Sequence, residues 1–266
     1  MAQDSTLRPR RGTGAPHPRG RRWRTAGLGL IALSIVSFAS IGGLHFPSAA
    51  ADQTVRGIDV SHWQGPIDWN GVRASGMAFA YLKATEGVGY RDSRFGENYT
   101  NSYRVGILRG AYHYALPDRS SGAAQAEFFI ANGGAWSADG KTMPGMLDLE
   151  WNPYGGDCYG MSQPQMREWI RGFMTRYHER TGRWAVIYTN IHWWNPCVGD
   201  FREFSDKAPL WIARYNSSPG AIPPGWPTWS FWQYTSKGQV SGVAGHVDMN
   251  EFDGSYERLK MLALGS

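Results

Sequence analysis

Two acids stand two positions apart, Asp148 and Glu150, in the run Met143-Pro144-Gly145-Met146-Leu147-Asp148-Leu149-Glu150-Trp151. Along an extended chain alternate side chains share a face, so the two carboxylates project together while Leu147 and Leu149 point the other way. The following Gly156-Asp157-Cys158-Tyr159-Gly160 reads as a loop. The pair is therefore expected at the carboxyl end of a strand, where parallel α/β folds assemble their sites. Adjacent carboxylates repel, which raises one pKa and leaves the other group ionised. Glycoside hydrolysis needs that division between a proton donor and a charged partner. The plain alternative is a solvated turn with two surface acids, the usual place for such residues.

Other polar residues recur where apolar runs end. Asp59 lies in Arg56-Gly57-Ile58-Asp59-Val60-Ser61-His62-Trp63-Gln64, where it either caps the next turn or faces a site. Asp248, between Val247 and Met249, is costly to bury unless paired or functional. Lys83 and Glu86, His113, Tyr188 and Asn190, Arg214, Gln233 and Asn250 hold similar positions. Of the 13 Trp residues, Trp211 and Trp232 fall within strands and read as core. Trp63, Trp151 and Trp193 fall in loops, where flat rings offer a stacking surface to the apolar faces of sugars. Among the histidines there is no His-Glu-x-x-His or close His/Cys cluster, so no metal and no cofactor is expected. A nucleophilic-serine elbow, Gly-x-Ser-x-Gly, is absent, as is a Gly-x-Gly-x-x-Gly phosphate turn. What remains is carboxylate chemistry.

The elements that must position these residues alternate short apolar runs with polar or helical stretches, the pattern of a parallel sheet with crossovers. Strands are expected over 55–60, 79–84, 108–114, 143–150, 185–189, 210–215, 230–234 and 246–252, and helices over 95–105, 121–132 and 163–181. Ser162 and Gly182 bracket the long helix as cap and stop. Between 189 and 210, and again between 215 and 229, Pro, Gly, Ser and Trp replace helical periodicity. The expected fold is α/β, an irregular TIM-like (β/α) barrel of eight strands with fewer than eight helices. In a parallel barrel the strand ends converge on one rim, so residues far apart in sequence share a pocket.

The formal charge of +5 belongs to the amino terminus, where residues 1–51 hold seven Arg and one acid, Asp4. Taking that +6 away leaves residues 52–266 at −1, which removes the argument for nucleic-acid binding. An Arg-rich lead to Arg24, an apolar run over 26–44 and Ala49-Ala50-Ala51 before Asp52 have the layout of a secretory signal cleaved after Ala51. Arg21-Arg22-Trp23-Arg24 is compatible with twin-arginine export, and the general secretory route stays open beside it. An uncleaved anchor is the competing reading. Residues 52–266 are then expected to form one secreted domain with no stable membrane association, working as a monomer. Cys158 and Cys197, the two cysteines of the chain, are expected to form a disulfide in an oxidising compartment, with two free thiols as the alternative.

Six blocks in order carry a resemblance: Gly57-Ile58-Asp59-Val60-Ser61-His62-Trp63-Gln64, Leu82-Lys83-Ala84-Thr85-Glu86-Gly87, Gly110-Ala111-Tyr112-His113-Tyr114, Leu147-Asp148-Leu149-Glu150, Trp232-Gln233-Tyr234-Thr235 and Val247-Asp248-Met249-Asn250. Across residues 55–256 the chain resembles glycoside hydrolase family 25, the Chalaropsis-type lysozymes. The resemblance implies an irregular β/α barrel and a muramidase that cuts the β-1,4 bond between N-acetylmuramic acid and N-acetylglucosamine of peptidoglycan. By position it implies Glu150 as the general acid, with Asp59, Asp148 and Asp248 as the other active-site carboxylates. Lys83, His113, Tyr188, Arg214 and Gln233 are expected to bind substrate together with Trp63, Trp151 and Trp193. Neighbouring Asp148 and partial burial are expected to help Glu150 keep its proton. The group that meets the charge at the sugar carbon is either the substrate's acetamido oxygen, oriented by Asp148, or an enzyme carboxylate, Asp59 or Asp248.

Overall fold

The computed structural model describes residues 54–265; the expected signal over 1–51 lies outside them. The strands in chain order are β1 (Val55–Val60), β2 (Phe79–Glu86), the short β3 (Tyr90–Arg91), β4 (Leu108–Tyr114), β5 (Met146–Asp148), β6 (Val186–Thr189), β7 (Leu210–Ala213), β8 (Phe231–Gly238) and β9 (Val247–Phe252). Their order is β1-β9-β8-β7-β6-β5-β4-β2, and β1 pairs with β2 to close an eight-stranded barrel, with β3 folded back on β2 outside the ring. Seven barrel strands run parallel, while β9 runs antiparallel to both β8 and β1. That corrects the expectation of a fully parallel barrel. The link over 239–246 is too short for a parallel crossover, which needs a dozen residues or more, so the chain returns as a hairpin.

Six α-helices are present among the described residues: α1 (Trp69–Ala74), α2 (Phe95–Arg104), α3 (Gly122–Phe129), α4 (Gln163–Thr181), α5 (Ile191–Cys197) and α6 (Tyr256–Leu264). None of them is long and apolar enough to cross a membrane. The bounds of α4 are those expected; Gln165 Oε1 takes both the N–H and the hydroxyl of Ser162, and Gly182 closes the helix in the left-handed region at φ 71°. Of the helix expected over 121–132, α geometry ends at Phe129 and residues 130–134 continue it as a wider π turn, which Gly133 at φ 102° brings to a close.

Strand parity sorts the side chains into one core inside the barrel and two on its outer side. Facing inward near the closed end are Phe79, Tyr81, Trp211, Phe231 and Phe252, with Trp211 and Phe231 stacked at 4.9 Å and Tyr81 edge-on to Trp211 at 5.0 Å. This aromatic floor needs room that only glycine leaves. A Cβ on Gly110 would lie 2.3 Å from the Tyr81 ring, and one on Gly57 would lie 2.5 Å from Phe79. The residues between point outward. Leu147, Leu149, Ile187 and Leu210 pack against Phe129, Phe173 and Tyr177 of α3 and α4. Above the floor the inward positions turn polar, and the barrel opens.

Candidate active site

At the open end β5 sends Met146, Asp148 and Glu150 inward while Leu147 and Leu149 enter the outer core. The backbone bond from Leu149 N to Tyr188 O, 3.0 Å, carries the strand geometry past Asp148 and keeps Glu150 on the same face. Asp59 and Asp248 are register partners across β1 and β9. Because β9 runs backwards, Asp248 reaches the open rim from the start of its strand rather than the end. Asp59, Asp148, Glu150 and Asp248 thus line one cavity of about 240 Å³, together with Lys83, Tyr188, Gln233 and Trp63. A larger hollow of about 590 Å³ lies on the outer face of α3 and α4. Its charges are already satisfied, as in the pair Arg176 and Glu127, so it has no comparable chemistry to offer.

Hydrogen bonds distinguish the four acids. Asp59 Oδ2 accepts from Gln233 Nε2 at 2.9 Å and from Asn250 Nδ2 at 2.8 Å. Gln233 is oriented in turn, since its Oε1 accepts the hydroxyls of Tyr188 at 2.9 Å and Tyr215 at 3.0 Å. Asp148 is the opposite case: its Oδ1 is buried and no donor reaches it. Lys83 brings positive charge to the cavity, but Glu86 holds its Nζ at 2.6 Å, and Tyr154 donates to the other oxygen of Glu86 at 2.6 Å.

Four acids around one neutralised lysine are poorly stabilised as anions, and all four pKa values rise. Burial is the first cause in every case. It lifts Glu150 to about 7, with the charge of Asp59 adding to the rise and Lys83 opposing it. Asp248 goes to about 8 by burial and by repulsion from Asp59 and Glu150. Asp59 rises less freely, because its two amide donors favour the charged form. Asp148 is held well above the usual carboxylate range by burial and then by Glu150. Repulsion between Asp148 and Glu150 disfavours the state in which both are ionised. Burial is the first cause that favours the protonated form of Glu150, and the charge of Asp59 adds to it.

The rim extends on both sides. Trp63 is 81% exposed at the mouth, its ring 4.7 Å from that of His62, whose Nδ1 lies 2.8 Å from Asp92. Beyond Glu150 a second hollow of about 370 Å³ is lined by Trp151, Tyr188, Asn190, His192 and Arg214. Two expected binding residues are not in the site. His113 is fully buried outside the barrel, its ring 5.3 Å from Phe173, with Thr85 at 2.8 Å from Nδ1 and Gln125 at 2.9 Å from Nε2. Tyr112 and Tyr114 face inward, so the residue between them must face out. Burial lowers its pKa to about 4, and it is a neutral core histidine. Trp193 is also fully buried; its Nε1 donates to Asp157 O at 2.9 Å, anchoring the loop after β5 instead of meeting solvent. Conversely, Tyr112, Tyr114 and Tyr215 line the cavity and were not expected there. The alternation of Tyr112 and Tyr114 around His113 was the available signal.

Cys158 and Cys197 are disulfide-bonded, with Cα atoms 5.1 Å apart. The bond ties the loop after β5 to the last residue of α5, where a second loop was expected.

Comparison with known proteins points the same way. The family model described as Glycosyl hydrolases family 25 matches residues 58–243. Lysozyme M1 of Streptomyces globisporus is 56% identical over 209 residues, covering 79% of this chain and 71% of that protein. The N,O-diacetylmuramidase of Chalaropsis sp. is 42% identical over 219 residues, covering 80% of this chain and 100% of that protein. The crystal structure of the bacterial lysozyme from Streptomyces coelicolor aligns with a TM-score of 0.78 at 55% identity, covering 79% of this chain and 97% of that one.

Proposed function

The chain belongs to glycosyl hydrolases family 25, and from that membership and the carboxylate cavity we propose that it is a muramidase, cutting the β-1,4 bond between N-acetylmuramic acid and N-acetylglucosamine of peptidoglycan. The observation that carries this reading is the pair at the end of β5: Glu150 beside Asp148 in one cavity, with the buried Oδ1 of Asp148 lacking a donor and burial raising the pKa of Glu150 to about 7. A glycosidic oxygen leaves readily only when protonated, and Glu150 holds a proton at neutral pH to give it.

The orphan acceptor on Asp148 favours attack by the substrate's own acetamido group. An acetamido N–H is the donor that Oδ1 lacks. Fixing that N–H presents the acetamido oxygen to the sugar carbon, which it attacks as Glu150 protonates the leaving oxygen. The product is a cyclic oxazolinium, whose positive charge favours the ionised form of Asp148 beside it. Glu150, now ionised, takes a proton from water as the water opens the ring, and configuration is retained. Asp59, whose two amide donors favour its anion, faces the same sugar and stabilises its charge, with Asp248 beside it. As the enzyme's own nucleophile Asp59 is less suited, since two amides already hold its Oδ2.

The same reading assigns substrate contacts to Trp63, Lys83, Trp151, Tyr188, Arg214 and Gln233. It also has the enzyme exported and working as a monomer without stable membrane association, supported by the signal-like composition of residues 1–51 and by the disulfide. Digestion of purified peptidoglycan with mass analysis of the new reducing ends tests the activity. N-acetylmuramic acid ends are expected. New N-acetylglucosamine ends, or equal activity on chitin, would overturn the reading.

A further inference from the structure

The cavity is acidic, yet the polymer assigned to it is an anion, with a carboxylate on each unsubstituted lactyl group and more on each stem peptide. Its neutral analogue, a polymer of N-acetylglucosamine alone, has none. A cation free to pair would favour the anionic polymer alone, and Lys83 is already neutralised by Glu86. Arg214 is the other cation nearby. It lines the hollow beyond Glu150 with Trp151, Asn190 and His192. Among the described residues its guanidinium has no hydrogen-bond or ion-pair partner, unlike Arg171 with Glu203 or Arg176 with Glu127. A half-buried cation without a counter-ion is unfavourable until an anion arrives.

The backbone holds it in place. Arg214 N donates to Gln233 O at 3.0 Å, and Trp232 Nε1 donates to Arg214 O at 2.9 Å, clamping the residue between β7 and β8. The guanidinium lies along the backbone of Gly220, at φ 65°, where an added Cβ would come 1.3 Å from Nη1. Gly220 thus leaves the space the guanidinium occupies.

We propose that Arg214, seated on Gly220, is a specificity-determining residue that pairs with a carboxylate of the muramyl unit and selects acidic glycan over neutral glycan. The proposal rests on the muramidase reading and names which substrate group this side of the cleft recognises. A bidentate guanidinium suits a carboxylate, and the pairing acts on binding more than on the bond-breaking step.

The test uses three soluble substrates from one peptidoglycan: strands with stem peptides intact, strands freed of peptide by an amidase so that each lactyl carboxylate is exposed, and those same freed strands capped as neutral methylamides. For Arg214→Gln the ratio of kcat/KM on acidic strands to that on capped strands is expected to fall about tenfold, the loss lying in KM. Gly220→Ala, which displaces the guanidinium, should lower the ratio in the same direction, and Arg214→Lys should restore part of it. A loss on amidase-treated strands identifies the lactyl carboxylate; a loss confined to peptide-bearing strands identifies the stem peptide. A ratio unchanged in both Arg214→Gln and Gly220→Ala, or a loss confined to kcat, overturns the proposal. Reducing ends of N-acetylglucosamine from the unaltered enzyme would instead overturn the muramidase reading, whatever the ratio.

Discussion

Glu150 can donate a proton only while it holds one. Burial and the charge of Asp59 set its pKa at about 7, so activity is expected in full below that pH and lost as pH rises through it. Asp59→Asn removes the repelling charge but keeps the shape, and should move this basic limb to lower pH. A limb that stays where it was, in kcat/KM against pH on soluble fragments, would show that burial alone sets it. Glu150→Gln keeps the hydrogen-bonding shape without a carboxylic proton; turnover should fall by at least about 100-fold while binding to the wall persists. Near-normal turnover would remove Glu150 from the acid's role. Most of these residues were legible because strand period and polarity coincide: Asp148 and Glu150 alternate with leucines that need a core. His113 and Trp193 misled for a related reason. A polar residue at a strand end, or an aromatic one beyond it, reveals its position along the element but not its face. In β4 the two tyrosines take the inner positions and push His113 out.

Strands were the most legible elements, since each is an apolar run bounded by turn residues; β1 and β4 have the expected bounds. The missed helices are short and rest on local or tertiary support that propensity does not register. Helix α1 spans six residues and includes Asn70 and Gly71; Asp68 caps it by accepting from Asn70 N at 3.0 Å. Helix α5 contains Trp193, Trp194 and Pro196, yet Asn190 caps it and the disulfide fixes its end. That crosslink spans 39 positions, and in the chain-entropy view a loop of that length is worth up to roughly 4 kcal/mol. Replacing both cysteines by serine should therefore lower the Tm by up to about 8–16 °C for a domain of this size. It should also raise KM, because the freed loop carries Trp151, which lines the hollow beyond Glu150. A Tm within a degree or two of the parent's would mean that the anchor at Trp193 already holds the loop.

Taken whole, the molecule sets an acidic, partly buried site against a neutral buried histidine, and the two respond oppositely to pH. Glu150 and Asp248 are raised to about 7 and about 8, so the folded protein keeps protons that the unfolded chain releases above about pH 4.5. Their effect is to make stability fall as pH rises from there to about 8. His113 is lowered to about 4, so the unfolded chain takes up a proton that the folded one refuses, and stability falls as pH drops from about 6.5 towards 4. The two slopes oppose each other below about pH 6.5; above it only the carboxylates remain. Unfolding free energy is accordingly expected to decline between pH 6.5 and 8, by at most about 2 kcal/mol from Asp248. Asp248→Asn removes that contribution, so at pH 8 the variant should be more stable than the parent and less active, with the difference shrinking by pH 5. The site would then be a place where function opposes stability. Thermal unfolding of parent and variant at pH 5, 6.5 and 8 decides it. A variant less stable than the parent at pH 8 would mean that Asp248 is held by favourable contacts that outweigh its repulsion from Asp59 and Glu150.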